Sequence, residues 1–195
     1  MIRLATPDDA DGVRQIYEPF VRDTAVSFET TPPTEAEVEA RIASTLESHP
    51  WLVCERDERV VGYAYAGTHR KRDAYRWSVD SSVYVADDAR RRGVARGLYA
   101  ALFGILEAQG YVNVYAGTTL PNPASVGFHR AMGFEPVGVY ENVGYKLGEW
   151  HDVQWLVRTL RPHPENPDPP VALAAVRETA AFEDALAAGE SKIDR

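Results

Sequence analysis

Apolar residues along the first 160 positions switch between helical and strand spacing. Val13, Ile16, Tyr17 and Phe20 recur three and four residues apart, which predicts an amphipathic helix. Thr6 supplies its N-cap and Pro7 its first turn, so a short strand over residues 2–5 gives way to a helix reaching about Asp23. Residues 27–33 (SFETTPP) read as a loop. The capping box Thr34-Glu35-Ala36-Glu37 opens a second helix, predicted to run to about Ser48. Residues 51–55 and 60–68, rich in β-branched and aromatic side chains, flank a polar turn and predict a β-hairpin.

A basic connection over residues 69–75 leads into a predicted central strand, residues 77–85 (WSVDSSVYV). Residues 90–95 form a turn before a helix that reaches Gln109 and is closed by Gly110. A strand over 113–118, a short helix opened by Asn122-Pro123 and stopped at Gly133, and two strands near 136–141 and 152–160 complete the pattern. The order β-α-α-β-β-β-α-β-α-β-β predicts an α/β fold, a mixed sheet with helices on both faces. After Leu160 the character changes. Residues 161–170 (RPHPENPDPP) read as a proline-rich linker, and residues 171–189 as an alanine-rich helix carrying Leu173, Val176, Phe182 and Leu186. The expected division is a domain over 1–160 and an extension over 161–195.

Composition narrows the function classes. A chain of 195 residues, 45% hydrophobic and 26% charged, suits one substantial core. Its net charge of −8 argues against nucleic acid or an anionic membrane as the main partner. No apolar run approaches the ~18 residues of a membrane span, and MIRLATPDDADG has no apolar signal-peptide core. A single cysteine, Cys54, allows no internal disulfide framework and no thiolate metal cluster. A cytoplasmic, metal-free protein is the expectation.

The sharpest local signal is VYVADDARRRGVA over residues 83–95, a strand end followed by Arg-x-x-Gly-x-Ala at a helix start. Unpaired N–H groups and the helix dipole make such a junction a seat for phosphate. Gly93 and Ala95 permit close backbone approach, and Arg90, Arg91, Arg92 and Arg96 add positive charge. Read alone, the motif specifies an anionic ligand, or else a solvated basic turn capping an ordinary helix.

Here the sequence resembles the GNAT (GCN5-related N-acetyltransferase) superfamily, and within it the phosphinothricin N-acetyltransferase branch. The segments that carry the likeness are SFETTPPT, RKRDAYRWSVDSSVYV, LYAALFGILEAQGY, LPNPASVGFHRAMGF and GYKLGEWHDV. The resemblance implies acetyl-CoA as cosubstrate and a sheet that splays between its fourth and fifth strands, at a bulge, to admit the pantetheine arm. Backbone groups of Val83 and Val85 would bond that arm, and an N–H near Tyr84 or Val85 would face the developing oxyanion. The segment Arg90-Arg91-Arg92-Gly93-Val94-Ala95, with Arg96, would hold the pyrophosphate. Asn122 and Ser125 would lie beside pantetheine and thioester. The branch implies a homodimer.

An ammonium cannot attack a thioester until a base takes its proton. Asp80 falls at the branch's catalytic carboxylate position, and aspartate inside a strand is unusual on physical grounds alone. The structural alternative is an ion pair with Arg72 or Arg76. The branch carries Glu there, and Asp is shorter by one methylene, about 1.5 Å of reach. His129, at helical spacing from Val126 and Met132, is either a packed core residue or, as the branch implies, an acid/base or substrate-positioning group. The acceptor site implied by the branch comprises Phe28, Arg72 and Tyr75, with guanidinium suited to carboxylate or phosphinate. Arg70 and Lys71 beside them read as loop solubility. Tyr145, Lys146, Trp150, His151 and Asp152 line either the pocket rim or a subunit contact.

The expected reaction is direct acetyl transfer to the α-amine of a small amino-acid-like acceptor of the phosphinothricin or methionine sulfoximine kind. The alternatives are a polyamine, antibiotic or protein N-terminus as acceptor, or a non-catalytic acyl-CoA-binding module with the tail as a docking helix.

Overall fold

The computed structural model describes residues 1–194; the last residue of the expected extension, Arg195, lies outside them. Seven strands form one sheet: β1 (Ile2–Leu4), β2 (Trp51–Arg56), β3 (Arg59–Thr68), β4 (Ser78–Val85), β5 (Asn113–Thr119), β6 (Glu135–Lys146) and β7 (Glu149–Thr159). Their spatial order is β1-β2-β3-β4-β5-β7-β6. Every neighbouring pair is antiparallel except β4 and β5.

Local chemistry explains most element boundaries. A 3-10 turn, Pro7–Asp9, precedes α1 (Ala10–Asp23), and Asp9 Oδ2 accepts from Thr6 N at 2.8 Å. The capping box of α2 (Glu35–Leu46) is formed: Thr34 N donates to Glu37 Oε2 at 2.7 Å, and Glu37 N donates to Thr34 Oγ1 at 3.3 Å. α3 (Val94–Gln109) is bounded at both ends by left-handed glycines, Gly93 at φ +78° and Gly110 at φ +98°. α4 (Pro123–Ala131) starts at Asn122, whose Oδ1 accepts from Ser125 N at 3.0 Å.

Two apolar cores flank the sheet. On one face α1 and α2 bury Val13, Ile16, Val38 and Ile42 against Val53 and Tyr63. On the other face α3 buries Leu98, Leu102, Ile105 and Leu106 against Leu52, Ala64, Val79 and Val114.

The extension joins that second core. Leu173, Val176, Phe182 and Ala185 are buried with α3, and α5 (Ala180–Glu190) approaches α3 so closely that a Cβ on Gly97 would meet Gly189 O at 2.7 Å. Burying Phe182 contributes about 1.5–3 kcal/mol. The proline-rich segment is also tied down. Trp77 Nε1 donates to Asp168 O at 2.9 Å, and Arg161 Nη2 to Gly110 O at 2.7 Å.

The structure corrects four expectations. The helix read over residues 171–189 is confined to α5, after a 3-10 turn at Leu173–Ala175. α2 ends at Leu46, short of Ser48. β6 runs on to Lys146, well past its predicted end, β7 starts at Glu149, and the two meet in a tight hairpin at Leu147 and Gly148, both with positive φ. No bulge interrupts β3–β4, whose register runs unbroken from Gly62↔Val85 to Thr68↔Val79. The splay arises on the other side of β4, where pairing with β5 covers only Ser78↔Asn113, Val79↔Val114 and Asp80↔Tyr115.

Candidate active site

Beyond Asp80 the two strands part, and the open edge of β4 has a defined polarity. Ala86 N donates to Val61 O at 2.9 Å, so even-numbered residues of β4 turn their backbone groups toward β3. The alternation of a strand then points the N–H and C=O of Val83 and Val85 toward the gap. Tyr84 is the exception among the expected backbone ligands. Its N–H faces β3, and its ring packs edge-on to Tyr17 and Phe20 with centroids 5.0 and 5.1 Å away.

The gap continues into a groove of about 550 Å³. It brings together Val83, Tyr84, Val85, Arg90, Arg91, Ala95, Asn122, Ser125 and His129, residues drawn from β4, the turn into α3 with that helix's first turn, and α4 with its cap. At the turn, Arg91 (φ +61°) and Gly93 (φ +78°) are left-handed, which folds the backbone into a concavity. Gly97 N donates to Gly93 O at 2.8 Å as the first helical bond, leaving the N–H groups of Val94, Ala95 and Arg96 at a helix start. Arg90 pairs with Asp87 at 2.7 Å and lies over the Phe20 ring. Arg91, Arg92 and Arg96 have no ion-pair partner among the described residues. Their guanidinium charges and the N–H cradle fit a pyrophosphate.

A second recess of about 400 Å³ extends past the turn along Gly93, Val94, Ala95 and Arg96 and reaches Lys192 and Asp194 of the tail. There Asp194 N donates to Arg92 O at 3.0 Å. A Cβ on Gly93 would stand 2.1 Å from Lys192 O, so only glycine fits between turn and tail.

His129 is buried inside the α4–α3 contact. Its Nδ1 lies 2.8 Å from Ser125 O, a carbonyl that can only accept, so Nδ1 carries the proton. Nε2 then accepts from Tyr99 OH at 3.3 Å, and Ser81 Oγ lies 3.3 Å from that phenol. Burial lowers the His129 pKa, partly offset by the bond to Ser125, so the ring is neutral at pH 7. A neutral ring bonded at both nitrogens suits a positioning role better than proton donation.

Asp80 has a partner that sequence reasoning missed. Its Oδ1 lies 2.6 Å from Nδ1 of His69, and neither Arg72 nor Arg76 pairs with it; Arg76 bonds Asp73 instead. Burial raises the Asp80 pKa, while the bond to His69 and the charge of Arg70 pull it partly back. His69 stacks on Tyr115, centroids 4.3 Å apart, with Tyr75 and Trp155 edge-on at 6.0 and 6.2 Å.

The expected acceptor residues divide. Tyr75 lies edge-on to His69, the partner of Asp80. Arg72 is exposed at the start of the 3-10 turn Asp73–Tyr75, with no side-chain partner among the described residues. Phe28 packs on the β6–β7 hairpin: a Cβ on Gly144 would meet its ring at 2.2 Å, and His151 lies 6.2 Å away. Lys146 fixes this arrangement. Its buried Nζ donates to Val21 O and Ser27 O, each at 2.6 Å, pinning the loop that carries Phe28. His151 is buried too, its Nε2 donating to Lys146 O at 2.9 Å, whereas Tyr145 and Trp150 are exposed. Among the described residues no cluster of three or more His, Cys, Asp or Glu is arranged to hold a metal, and no helix is long and apolar enough to cross a membrane.

The sequence matches the acetyltransferase (GNAT) domain family over residues 2–155. It is 39% identical to the phosphinothricin N-acetyltransferase of Streptomyces viridochromogenes over 171 residues, covering 87% of this chain and 93% of that protein. It is 36% identical to an L-methionine sulfoximine/L-methionine sulfone acetyltransferase of Pseudomonas paraeruginosa, covering 83% and 95% respectively. A solved phosphinothricin acetyltransferase from Sinorhizobium meliloti, in complex with AcCoA, superposes with a TM-score of 0.80 at 32% identity, over 89% of this chain and 97% of that one.

Proposed function

The chain belongs to the GNAT acetyltransferase family, and from that premise we propose that it moves the acetyl group of acetyl-CoA to the α-amine of a small, glutamate-shaped amino acid of the phosphinothricin or methionine sulfoximine type. The observation that carries this reading is the end of the β4–β5 ladder at Asp80↔Tyr115. One step beyond it lies a groove with strand-like bonding groups; on it lies the Asp80 carboxylate, bonded to His69.

Each part of the coenzyme has residues suited to it. Val94, Ala95 and Arg96 N–H groups, with Arg91, Arg92 and Arg96 side chains, suit the pyrophosphate. Val83 and Val85 offer an open strand edge to the two amides of the pantetheine arm. Asn122 and Ser125 line the same groove. The bound thioester supplies the acetyl carbon. Asp80, beside His69, holds the negative charge that lets an ammonium give up its proton. The N–H of Val85 is the proposed oxyanion donor, leaving Val83 and the edge carbonyls to the pantetheine amides, and His129 orders α4 beside them. Tyr75 adjoins His69, and Arg72 is near enough in sequence to serve an anionic acceptor, which disfavours a polyamine.

Residues 1–160 are the proposed catalytic domain, and the tail is its structural buttress. A cytoplasmic homodimer is the proposed assembly. β6 is an edge strand whose Val137, Val139, Tyr140 and Val143 are all exposed, an apolar strip suited to a second copy. A structure with acetyl-CoA bound tests the site. Coenzyme density along Val83 and Val85 with phosphates at Val94 and Ala95 supports the assignment, and density anywhere else defeats it.

A further inference from the structure

We infer that the atom which takes the amine's proton is Nε2 of His69, with Asp80 as its positioning partner. The inference rests on the acetyl-transfer reading above and deepens it. The 2.6 Å contact commits Nδ1–H of His69 to the Asp80 carboxylate. That fixes the tautomer and leaves the basic lone pair on Nε2. Nε2 takes no hydrogen bond among the described residues, and it is not one of the polar atoms sealed from solvent. The ring cannot swing away. It lies nearly parallel to Tyr115, at an interplanar angle of 12°, and is blocked edge-on by Tyr75 and Trp155. Its side chain is only 12% exposed.

Reach supports the same assignment. Asp is shorter than Glu by one methylene, which limits what its carboxylate can reach. The imidazole bonded to the end of that short side chain carries its second nitrogen across the ring from the carboxylate. Tyr75, proposed to contact the acceptor, borders that ring. The step balances simply. One N–H bond of the ammonium breaks and an Nε2–H bond forms. The positive charge left on the ring sits against Asp80, and the proton passes to solvent after the acetyl group has moved. Burial that penalises a lone carboxylate favours a partner that becomes cationic at this moment.

The test compares His69→Phe, His69→Ala and the parent chain for turnover of L-methionine sulfoximine and phosphinothricin at saturating acetyl-CoA. Thermal midpoint and calorimetric acetyl-CoA affinity are measured on each. His69→Phe keeps a ring on Tyr115 but has no nitrogen; it is expected to lose at least about 100-fold in kcat with coenzyme affinity unchanged. His69→Ala is expected to lose as much and to recover at least tenfold on adding imidazole, which a packing role would not produce. Parent-level turnover in His69→Phe, or no imidazole recovery in His69→Ala, overturns the inference while leaving the acetyl-transfer reading standing. A parent chain that binds acetyl-CoA yet acetylates neither amine overturns both.

Discussion

Asp80 and Tyr115 are the last residues at which β4 and β5 remain paired. The carboxylate therefore stands at the point where the sheet opens, and the ring of Tyr115 becomes the platform for His69. Removing the carboxylate should spare the groove. Asp80→Ala is expected to bind acetyl-CoA within twofold of the parent by calorimetry, while kcat falls by about 10²–10⁴. Undiminished turnover would remove Asp80 from the mechanism.

Lys146 ties the loop of Phe28, a proposed acceptor contact, to the fold. Lys146→Met would leave the carbonyls of Val21 and Ser27 without their shared donor. A stability loss of about 1–3 kcal/mol is expected in urea denaturation. Because the loop also carries Phe28 against Gly144, KM for the amine should rise several-fold while KM for acetyl-CoA stays constant. Equal changes in both constants would contradict the placement.

Gly93 tests the turn. A methyl group there must stand at φ +78° and 2.1 Å from Lys192 O, a strain of about 1–3 kcal/mol. Gly93→Ala is expected to weaken acetyl-CoA binding at least tenfold in calorimetry. Gly127→Ala, where nothing lies within 4 Å of the added carbon, is the control and should bind like the parent.

The tail's contribution is measurable separately. Phe182→Ala opens a cavity between α5 and α3 and should cost about 3–5 kcal/mol. The expected result is a lowered thermal midpoint with turnover preserved at low temperature. An unchanged midpoint would mean that the tail does not stabilise the domain.

Features set by neighbouring residues were legible in the sequence. The Thr34–Glu37 capping box, the Gly93 and Gly110 helix boundaries and the Asn122 cap all depend on side chains within four residues of the groups they satisfy. Features set by register were not. His69 meets Asp80 because the antiparallel ladder places Gly67 opposite Asp80, and charge proximity in sequence pointed instead to Arg72 and Arg76. Lys146 was ambiguous because a buried ammonium held by two backbone carbonyls leaves no pattern in the chain around it. The fit of α5 on α3 depends on Gly97 and Gly189, which are far apart in sequence and carry no periodic signal. The long β6 was masked by Gly138, Asn142 and Gly144, which break its alternation but coincide with register shifts against β7.

The central claim is that this cleft carries an acetyl group from coenzyme A to an α-amine. Mass spectrometry of the products formed from acetyl-CoA and an equimolar mixture of phosphinothricin, L-methionine sulfoximine, spermine and a short peptide tests it most directly. The account predicts N-acetylation of the first two in preference to spermine and the peptide. Acetylated spermine or peptide as the main product would contradict the proposed acceptor, and no acetylated product at all would contradict the catalytic cleft.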